Sequence, residues 1–527
     1  MEKINEIISS GETYIGIELG STRIKAVLVT KSFDVLASGI SEWENRYENG
    51  YYTYSLDDIH SGLRTAFSCL KEDIRKKYGV TLTKSEALGV SAMMHGYLAF
   101  DKEYNLLTPF RTWRNTTTGE AARELSEAFK FNIPQRWTVA HLYQAILNGE
   151  EHIKKIAYVT TLAGYIHYLL TGRIEVGIGD ASGIFPLDGT EYDSRKLDTF
   201  DRLIKDKGLN FKIRDILPRI RIAGTSGAFL TQEGVKILDR VGTLSAGIPV
   251  CPPEGDAGTG MVATNSVTPG TGNISAGTSI FSMLVLKAPL KGYYPQIDIV
   301  ATPDGSPVAM VHCNNCCGEL DVWVNIFEEF SRLLGNDFEK PTLYDMLYNY
   351  ALRGKCDNVI SFNYLSGEHI SEVSKGLPMI FRDPNVKMGL ADLIKSQLYS
   401  SIATLKLGMD ILVENENISS DVFFAHGGLF KVKDVAQQIL TNALNTPVSV
   451  FDTSSEGGAW GASILAGFMV SGGGMNLGDW LSKKVFSQKS ISVKSPDAEG
   501  VSEYKEYIVN YKKGLEAIRF IQKEKNI

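Results

Sequence analysis

Apolar and polar positions along the chain form blocks that predict strands and helices in alternation. YIGIELGSTRIKAVLV (14–29) has two apolar runs around a short polar turn, which predicts a β-hairpin. SLDDIHSGLRTAFSCLKEDIRKK (55–77) begins with an N-capping Ser55 and early acids and ends in bases, which is typical of a helix. ALGVSAMM (87–94) predicts a buried strand, and 391–415 carries one apolar helical stripe. The alternation favours an α/β fold.

The sequence pattern of the first hairpin is weakly repeated later in the chain. GNISAGTSIFSMLVLK (272–287) repeats its order of strand, Gly-[Ser/Thr]-[Ser/Thr] and strand, and each copy opens one half of the chain. The intervening PPEGDAGTGMVATNSVTPGTG (252–272) is rich in Gly, Pro and Thr, as expected of a hinge. Two such turns facing a cleft could hold a polyphosphate from both sides. The alternative is that Gly-Thr hairpins occur in any α/β protein.

Two further segments read as helices without chemistry of their own. The uncharged stretch 457–478 is long enough to cross a bilayer, but eight glycines interrupt it and its apolar centre is short. A buried helix is therefore the better interpretation. YKEYIVNYKKGLEAIRFIQKE (504–524) predicts an amphipathic helix near the C-terminus.

Composition narrows the class of protein. The 527 residues can bury several cores, and 43% hydrophobic with 22% charged residues is typical of a globular enzyme. A net charge of −7 without a basic tract argues against nucleic acid or an anionic membrane as partner. Charges near the N-terminus argue against a signal peptide, so we expect a cytoplasmic protein. The six cysteines include the cluster Cys313, Cys316 and Cys317. We interpret these as reduced thiols, because a zinc site needs a second ligand pair and the sequence has no other C-x-x-C.

The first turn suits phosphate but carries a carboxylate. Gly20, Ser21 and Thr22 are small and expose backbone N–H groups, and Lys25 follows. Glu18 stands at the mouth of this turn, where its charge would oppose an anion. The conflict disappears if Glu18 holds the water shell of Mg²⁺ while the backbone binds phosphate oxygens.

Other stretches carry candidate chemistry, each with a structural alternative. Asp256 is predicted on a Gly-flanked turn after a strand, where it could accept a proton from a hydroxyl or only bond its own backbone. The paired glycines of HGG (426–428) and SEGG (455–458) let a ring or phosphate approach, or let helix and strand pack closely. A polar and aromatic set suits a polyol, although such a histidine is more often a core residue: His95, Trp113, Arg114 and Asn115.

Common nucleotide and hydrolase signatures do not account for these stretches. The sequence contains neither a G-x-x-x-x-G-K-[ST] loop nor a G-x-S-x-G elbow. The loose G-x-G-x-x-A at 258–263 lacks the acidic residue about twenty positions on that a dinucleotide fold uses.

The order of these pieces resembles the FGGY carbohydrate kinases, within the superfamily of actin, sugar kinases and heat-shock chaperones. The matching stretches span roughly 14–470: IELGSTRIK, MMHG, TWRN, DASGIFPLD, EGDAGTG, NISAGTS, HGGLFKVKDVAQQI and SEGGAWGASILAG. The first of these begins with Asp in the family and has Glu18 here. TWRNTTT also lacks the acidic residue usual nearby in xylulokinases.

The resemblance implies an α/β fold of two ribonuclease-H-like domains flanking a central cleft for ATP and sugar. It implies an N-terminal domain (1–264), a C-terminal domain (265–485) and a helical tail (486–527), with a homodimer as one open oligomeric state. By resemblance Asp256 is the general base, and the MHG form favours a ketopentose, D-xylulose first and L-ribulose or another ketose or polyol as alternatives. The sugar would meet Met94, His95, Trp113, Arg114, Asn115 and Asp256.

The resemblance also implies the nucleotide site. The residues placed beside ATP are Gly20, Ser21, Thr22, Lys25, Gly277, Thr278, Gly427, Gly428, Glu456 and Gly457, and Glu18 would serve Mg²⁺. Two functions of another class stay open, a nucleotide-switched interaction protein and a sugar-sensing regulator without kinase activity.

Overall fold

The computed structural model describes residues 2–225, 227–355, 359–451, 457–489 and 491–525. Contacts group these residues into two compact units, and each unit is discontinuous in sequence. The first comprises the described parts of Met1–Thr268, Asp298–Val308 and Ser455–Lys489, and the second those of Pro269–Ile297, Ala309–Ser454 and Ser490–Ile527. The domain ranges 1–264, 265–485 and 486–527 stay a prediction.

Strands and helices alternate throughout, as the hydrophobic pattern predicts. The strands are Thr13–Leu19, Arg23–Thr30, Val35–Glu42, Arg46–Glu48, Tyr51–Thr53, Ala87–Ala92, Leu98–Phe100, Tyr158–Thr160, Glu175–Gly177, Leu187–Asp188, Glu191–Tyr192, Arg219–Arg221, Ala228–Phe229, Pro249–Val250, Glu254–Gly255, Thr271–Ala276, Ile280–Val285, Asp298–Ala301, Pro307–Cys313, Val359–Phe362, Met379–Arg382, Val422–His426, Val448–Phe451 and Ile491–Lys494.

The α-helices range from single turns to long rods. They are Glu2–Ser10, Leu56–Tyr78, Gly119–Phe129, Thr138–Leu147, Leu162–Thr171, Ile178–Ala181, Ser194–Ile204, Ile213–Ile216, Gln232–Leu238, Asp256–Ala263, Gly318–Leu333, Lys340–Ala351, Leu390–Glu416, Val435–Leu444, Gly457–Ser471, Leu477–Trp480 and Ala498–Lys525. In the part of the chain that the structure describes, no helix combines the length and apolar composition needed to cross a bilayer.

The two predicted hairpins occupy matching places in two sheets. In the first unit, strand Thr13–Leu19 lies between its antiparallel partner Arg23–Thr30 and the parallel strand Ala87–Ala92. In the second unit, Thr271–Ala276 lies in the same way between Ile280–Val285 and Val422–His426. The weak repeat in the sequence therefore reflects a repeated sheet topology.

Most predicted helices are confirmed, and the structure shows the cap and the buried apolar faces that stabilise them. Ser55 caps the helix Leu56–Tyr78 by accepting a 3.0 Å bond from the N–H of Asp58. The predicted stripe of the helix Leu390–Glu416 is buried. The apolar stretch after residue 457 forms the buried helix Gly457–Ser471, and the tail forms the helix Ala498–Lys525.

The prediction of a turn at Asp256 is wrong, whereas the segment 252–272, predicted as a hinge, contains the boundary between the two units after Thr268. Asp256 is the first residue of the helix Asp256–Ala263, whose Met261 is buried. This helix packs closely on the helix Gly457–Ser471, because a Cβ at Gly461 would lie only 2.1 Å from the carbonyl oxygen of Thr259. Tertiary packing of this kind overrides the low helix propensity of glycine.

Candidate functional site

The carbonyl groups of the first glycine turn are all anchored on one side. The indole N–H of Trp43 donates to the Gly20 carbonyl at 2.7 Å, and the backbone N–H of Trp43 donates to the Thr22 carbonyl at 3.1 Å. The Tyr54 hydroxyl donates to the Ser21 carbonyl at 2.5 Å. A trans peptide points its C=O and N–H in opposite directions. The N–H groups of Ser21, Thr22 and Arg23 therefore point away from Trp43 and Tyr54. This arrangement suits an anion.

The carbonyl groups of the second turn, Gly277-Thr278-Ser279, are also held by hydrogen bonds, but from backbone donors. The backbone N–H of Cys317 donates to the Gly277 carbonyl at 3.1 Å, and that of Cys316 donates to the Thr278 carbonyl at 2.9 Å. The N–H groups of Thr278 and Ser279 therefore point away from the cysteines. Thr278 itself is exposed. Trp43, Tyr54 and the two cysteine amides are supports that sequence reasoning missed.

Glu18 is tied to the N-terminus of a helix from the far end of the chain. Its Oε2 accepts a 3.2 Å bond from the N–H of Ala459, in the first turn of the helix Gly457–Ser471. Lys25 stands opposite Glu18 in the hairpin register. Burial raises the pKa of Glu18 to about 7 and the charge of Asp256 adds to the rise, while the Ala459 N–H and Lys25 oppose it.

Asp256 is joined directly to the predicted sugar motif. Its Oδ1 accepts a 3.0 Å bond from the backbone N–H of Met94, and its side chain is half-buried at the start of its helix. Burial raises the pKa of Asp256, against the lowering effect of the N–H groups of Met94 and Ala257. A carboxylate held in this way can act as a base near neutral pH.

Two further buried carboxyl groups, those of Glu254 and Asp180, belong to the surroundings of Asp256, and sequence reasoning did not single them out. Glu254 accepts bonds from the N–H groups of Gly179 at 3.2 Å and Asp180 at 2.9 Å, and is 1% exposed. Asp180 is fully buried and accepts a hydrogen bond from the Thr161 hydroxyl. Burial raises the pKa of Asp180 to about 7, with the charge of Asp256 contributing, and raises that of Glu254 well above its usual range.

The sugar-motif residues differ in how they are held. His95 is buried, takes a left-handed backbone (φ 71°) and stacks on Trp137 with ring centroids 6.2 Å apart. Trp113 is exposed, and the exposed Arg114 lies 4.5 Å over the ring of Tyr52.

The side chain of Asn115 is occupied by backbone partners. It is buried, accepts from the N–H of Tyr52 at 2.8 Å and donates to the carbonyls of Tyr52 at 2.9 Å and Thr112 at 3.0 Å. It therefore positions the Tyr52 segment, and a direct bond from Asn115 to a sugar stays a prediction.

The predicted adenosine residues fall into different surroundings. Gly427 (φ 113°) follows the strand Val422–His426, and a Cβ there would lie 2.2 Å from the carbonyl oxygen of Ala276, beside the second turn. Gly427 also lines a cavity of about 430 Å³ in the second unit, with His426, Phe430, Lys431, Lys433, Asp434, Gln437, Val450, Phe451, Ile491 and Ser492. Gly428 begins a short 3₁₀ helix. Gly457 begins the helix that holds Glu18, and Glu456 lies outside the described residues.

The cysteine cluster does not form a metal centre in the described structure. Cys69, Cys251, Cys313, Cys316 and Cys317 are free thiols. Among the residues described, no three His, Cys, Asp or Glu side chains are grouped to hold a metal ion.

Comparison with known proteins identifies the family over nearly the whole chain. Residues 13–262 match the N-terminal domain of the FGGY family of carbohydrate kinases, and residues 272–470 match its C-terminal domain. The xylulose kinase of Haemophilus influenzae is 20% identical over 86% of this chain and 90% of its own length. The xylulose kinase of Staphylococcus xylosus is 24% identical, but the chain spans only 36% of its length.

Solved structures show the same two-domain fold. A structure described as a xyloylose kinase from Brucella ovis has a TM-score of 0.78 at 18% identity, covering 97% of this chain and 100% of that one. A structure of Plasmodium falciparum glycerol kinase with ADP has a TM-score of 0.75 at 15% identity, covering 96% of this chain and 99% of that one. Since both family models match in order, the chain belongs to the FGGY family of carbohydrate kinases and is an ATP-using sugar kinase.

Proposed function

We propose that the protein transfers the γ-phosphate of ATP to the terminal hydroxyl of a ketopentose, D-xylulose in the first instance. The observation that carries this proposal is the bond between the Met94 N–H and Asp256 Oδ1, which joins the candidate base to the motif that resembles the sugar site of xylulokinases. The similarity to a xylulose kinase over 86% of this chain supports the choice of sugar. A cytoplasmic location and a homodimer stay predictions.

In this proposal Asp256 accepts the proton of the attacking hydroxyl. Catalysis of phosphoryl transfer requires mainly that the protein position the reacting groups and neutralise the charge of the phosphates. The outward N–H groups of Ser21 and Thr22, with Lys25, and those of Thr278 and Ser279 in the second turn are assigned to the phosphates of ATP. The N–H of Gly277 donates to the Ser279 carbonyl at 2.8 Å, so Gly277 is assigned to the shape of the turn. Met94, His95, Trp113 and Arg114 are assigned to the sugar, and Asn115 to holding that region in place.

Glu18 is the residue assigned to Mg²⁺. Burial, and after it the charge of Asp256, raise the pKa of Glu18, so a cation near the two carboxylates would stabilise the charged form of Glu18. Mg²⁺ takes few protein carboxylates and keeps several waters, which is compatible with the described residues, where no three His, Cys, Asp or Glu side chains are grouped to hold a metal ion. When bound, the ion would neutralise charge on the transferred phosphoryl group. The Ala459 N–H fixes the position of the Glu18 carboxylate.

The substrate is tested by measuring ADP release with D-xylulose, L-ribulose, D-ribulose, sedoheptulose and glycerol in parallel. We expect the highest kcat/KM with D-xylulose. A preference for another acceptor would keep the kinase and overturn the sugar. Binding of ATP without turnover on any acceptor would favour a sugar-sensing protein, and ADP release independent of sugar would favour a nucleotide switch.

The assignment of Glu18 is tested by Glu18→Gln. The amide oxygen of glutamine can still accept from the Ala459 N–H, so the helix contact is kept while the negative charge is lost. We expect the Mg²⁺ concentration for half-maximal activity to rise by about tenfold or more. Glu18→Ala serves as the comparison because it removes both functions and should also lower the unfolding temperature. Equal Mg²⁺ dependence in wild type and Glu18→Gln would make Glu18 a purely structural residue.

A further inference from the structure

A buried carboxylate in the second unit holds the loop that carries the cysteine cluster. Glu368 is 1% exposed. Its Oε2 accepts from the backbone N–H of Asn314 at 2.7 Å and from the backbone N–H and side-chain amide of Asn315 at 3.3 and 3.2 Å. One oxygen thus gathers three donors from two consecutive residues.

The loop is fixed by further bonds to the same region. The Asn314 side chain donates to the Gly367 carbonyl at 2.8 Å, and the Asn315 Oδ1 accepts from the Ser366 N–H at 3.0 Å. The Asn363 side chain donates to the Cys316 carbonyl at 2.8 Å. These contacts set the direction of the peptide groups that follow Asn315.

Those peptide groups are the supports of the second glycine turn. The N–H groups of Cys316 and Cys317 hold the carbonyls of Thr278 and Gly277. The trans geometry of the peptides then directs the N–H groups of Thr278 and Ser279 to the opposite side. A rotation of the loop would therefore turn these donors away from the position where they can meet a phosphate.

We propose that Glu368 is a positioning residue for the second phosphate turn and that it acts through Asn314, Asn315 and the backbone of Cys316 and Cys317. The inference rests on the proposed binding of ATP phosphates at this turn. It gives the segment HCNNCC (312–317) a function that depends on its backbone amides, and the thiols take no chemical part in it.

The test compares Glu368→Ala with Glu368→Gln in the full-length enzyme. Glu368→Ala should raise the KM for ATP roughly tenfold to a hundredfold, because small misplacements of binding groups are costly, and leave the KM for the sugar within about twofold. Glu368→Gln keeps an acceptor oxygen for the Asn314 N–H, so it should restore most of the ATP affinity. Direct titration of each variant with ADP checks that the effect is on nucleotide binding.

Asp410→Ala is the matched control, since Asp410 is a buried carboxylate of the same unit that pairs with Lys406. It should lower stability without a selective change in the KM for ATP. If Glu368→Ala does not fold, Asn315→Ala replaces it in the comparison of the KM for ATP with the KM for the sugar. This variant removes one donor to Glu368 and keeps the backbone N–H groups.

An unchanged KM for ATP in the folded variant, or equal rises in both KM values, would overturn the inference. Failure of the proposed function would look different, because it would appear in the wild-type enzyme itself, as absent phosphorylation of the sugar or absent binding of ADP, before any variant is compared.

Discussion

Asp256→Asn is expected to lower kcat by about 10²- to 10⁴-fold while the protein stays folded. The amide oxygen of asparagine can still accept the 3.0 Å bond from the Met94 N–H, so the contact with the sugar motif is kept. What is lost is the basic oxygen that would take the proton of the attacking hydroxyl. The KM for the sugar should change little, because the loss concerns the transition state more than substrate binding.

The measurement is the steady-state rate of ADP formation at saturating ATP and sugar, together with the unfolding temperature. Asp239→Asn is a suitable control in the same unit, because Asp239 is a buried carboxylate in an ion pair with Lys71. Its loss should lower stability and leave kcat near the wild-type value. An Asp256→Asn enzyme that keeps most of its activity would remove Asp256 from the role of general base.

The elements that the sequence predicts well are those whose stabilising contacts are local or periodic. The hairpin 14–29 is specified by two apolar runs and a turn of small residues, and the helix Leu56–Tyr78 by its cap and terminal charges. The buried stripe of the helix Leu390–Glu416 follows from its period alone. Such signals lie within some twenty-five residues of one another and need no knowledge of the rest of the chain.

The helix at Asp256 escaped prediction because its cause is distant in sequence. DAGTGMVA contains two glycines together with Asp, Thr and Val, all weak helix formers, so local propensity predicts a turn. The helix forms because its small residues fit closely against the helix Gly457–Ser471, some two hundred positions later. The bond from Ala459 to Glu18 depends on an even longer separation.

The supports of the two glycine turns were unpredictable for the same reason. The small residues of each turn are visible in the sequence, but their carbonyl partners are not. Trp43 and Tyr54 follow the first turn at irregular spacing, and the amides of Cys316 and Cys317 could come from any residue type. Backbone donors leave no signature in the side chains that supply them.

Asp180 should make the unfolding free energy of the protein fall as the pH rises toward neutral. Its carboxyl is fully buried, its Oδ1 has no hydrogen-bond partner in the described structure, and burial, aided by the charge of Asp256, raises its pKa to about 7. In the unfolded chain the pKa is about 3.9. The folded state therefore binds the proton more tightly, and the associated stabilisation is complete below about pH 4 and is lost as the pH rises through about 7.

Asp180→Asn is expected to remove this dependence, because an amide resembles the protonated carboxyl and carries no charge. Between pH 5 and pH 8 the wild type should lose roughly 3 kcal/mol more than the variant, measured by urea unfolding at both values. Asp193→Asn is the control of opposite sign: the nearby Lys196 helps to lower the pKa of the buried Asp193, so its loss should cost the same stability at both pH values. If Asp180→Asn kept the full wild-type dependence on pH, the proton would reside on another group, and the buried Glu254 would be the next to replace.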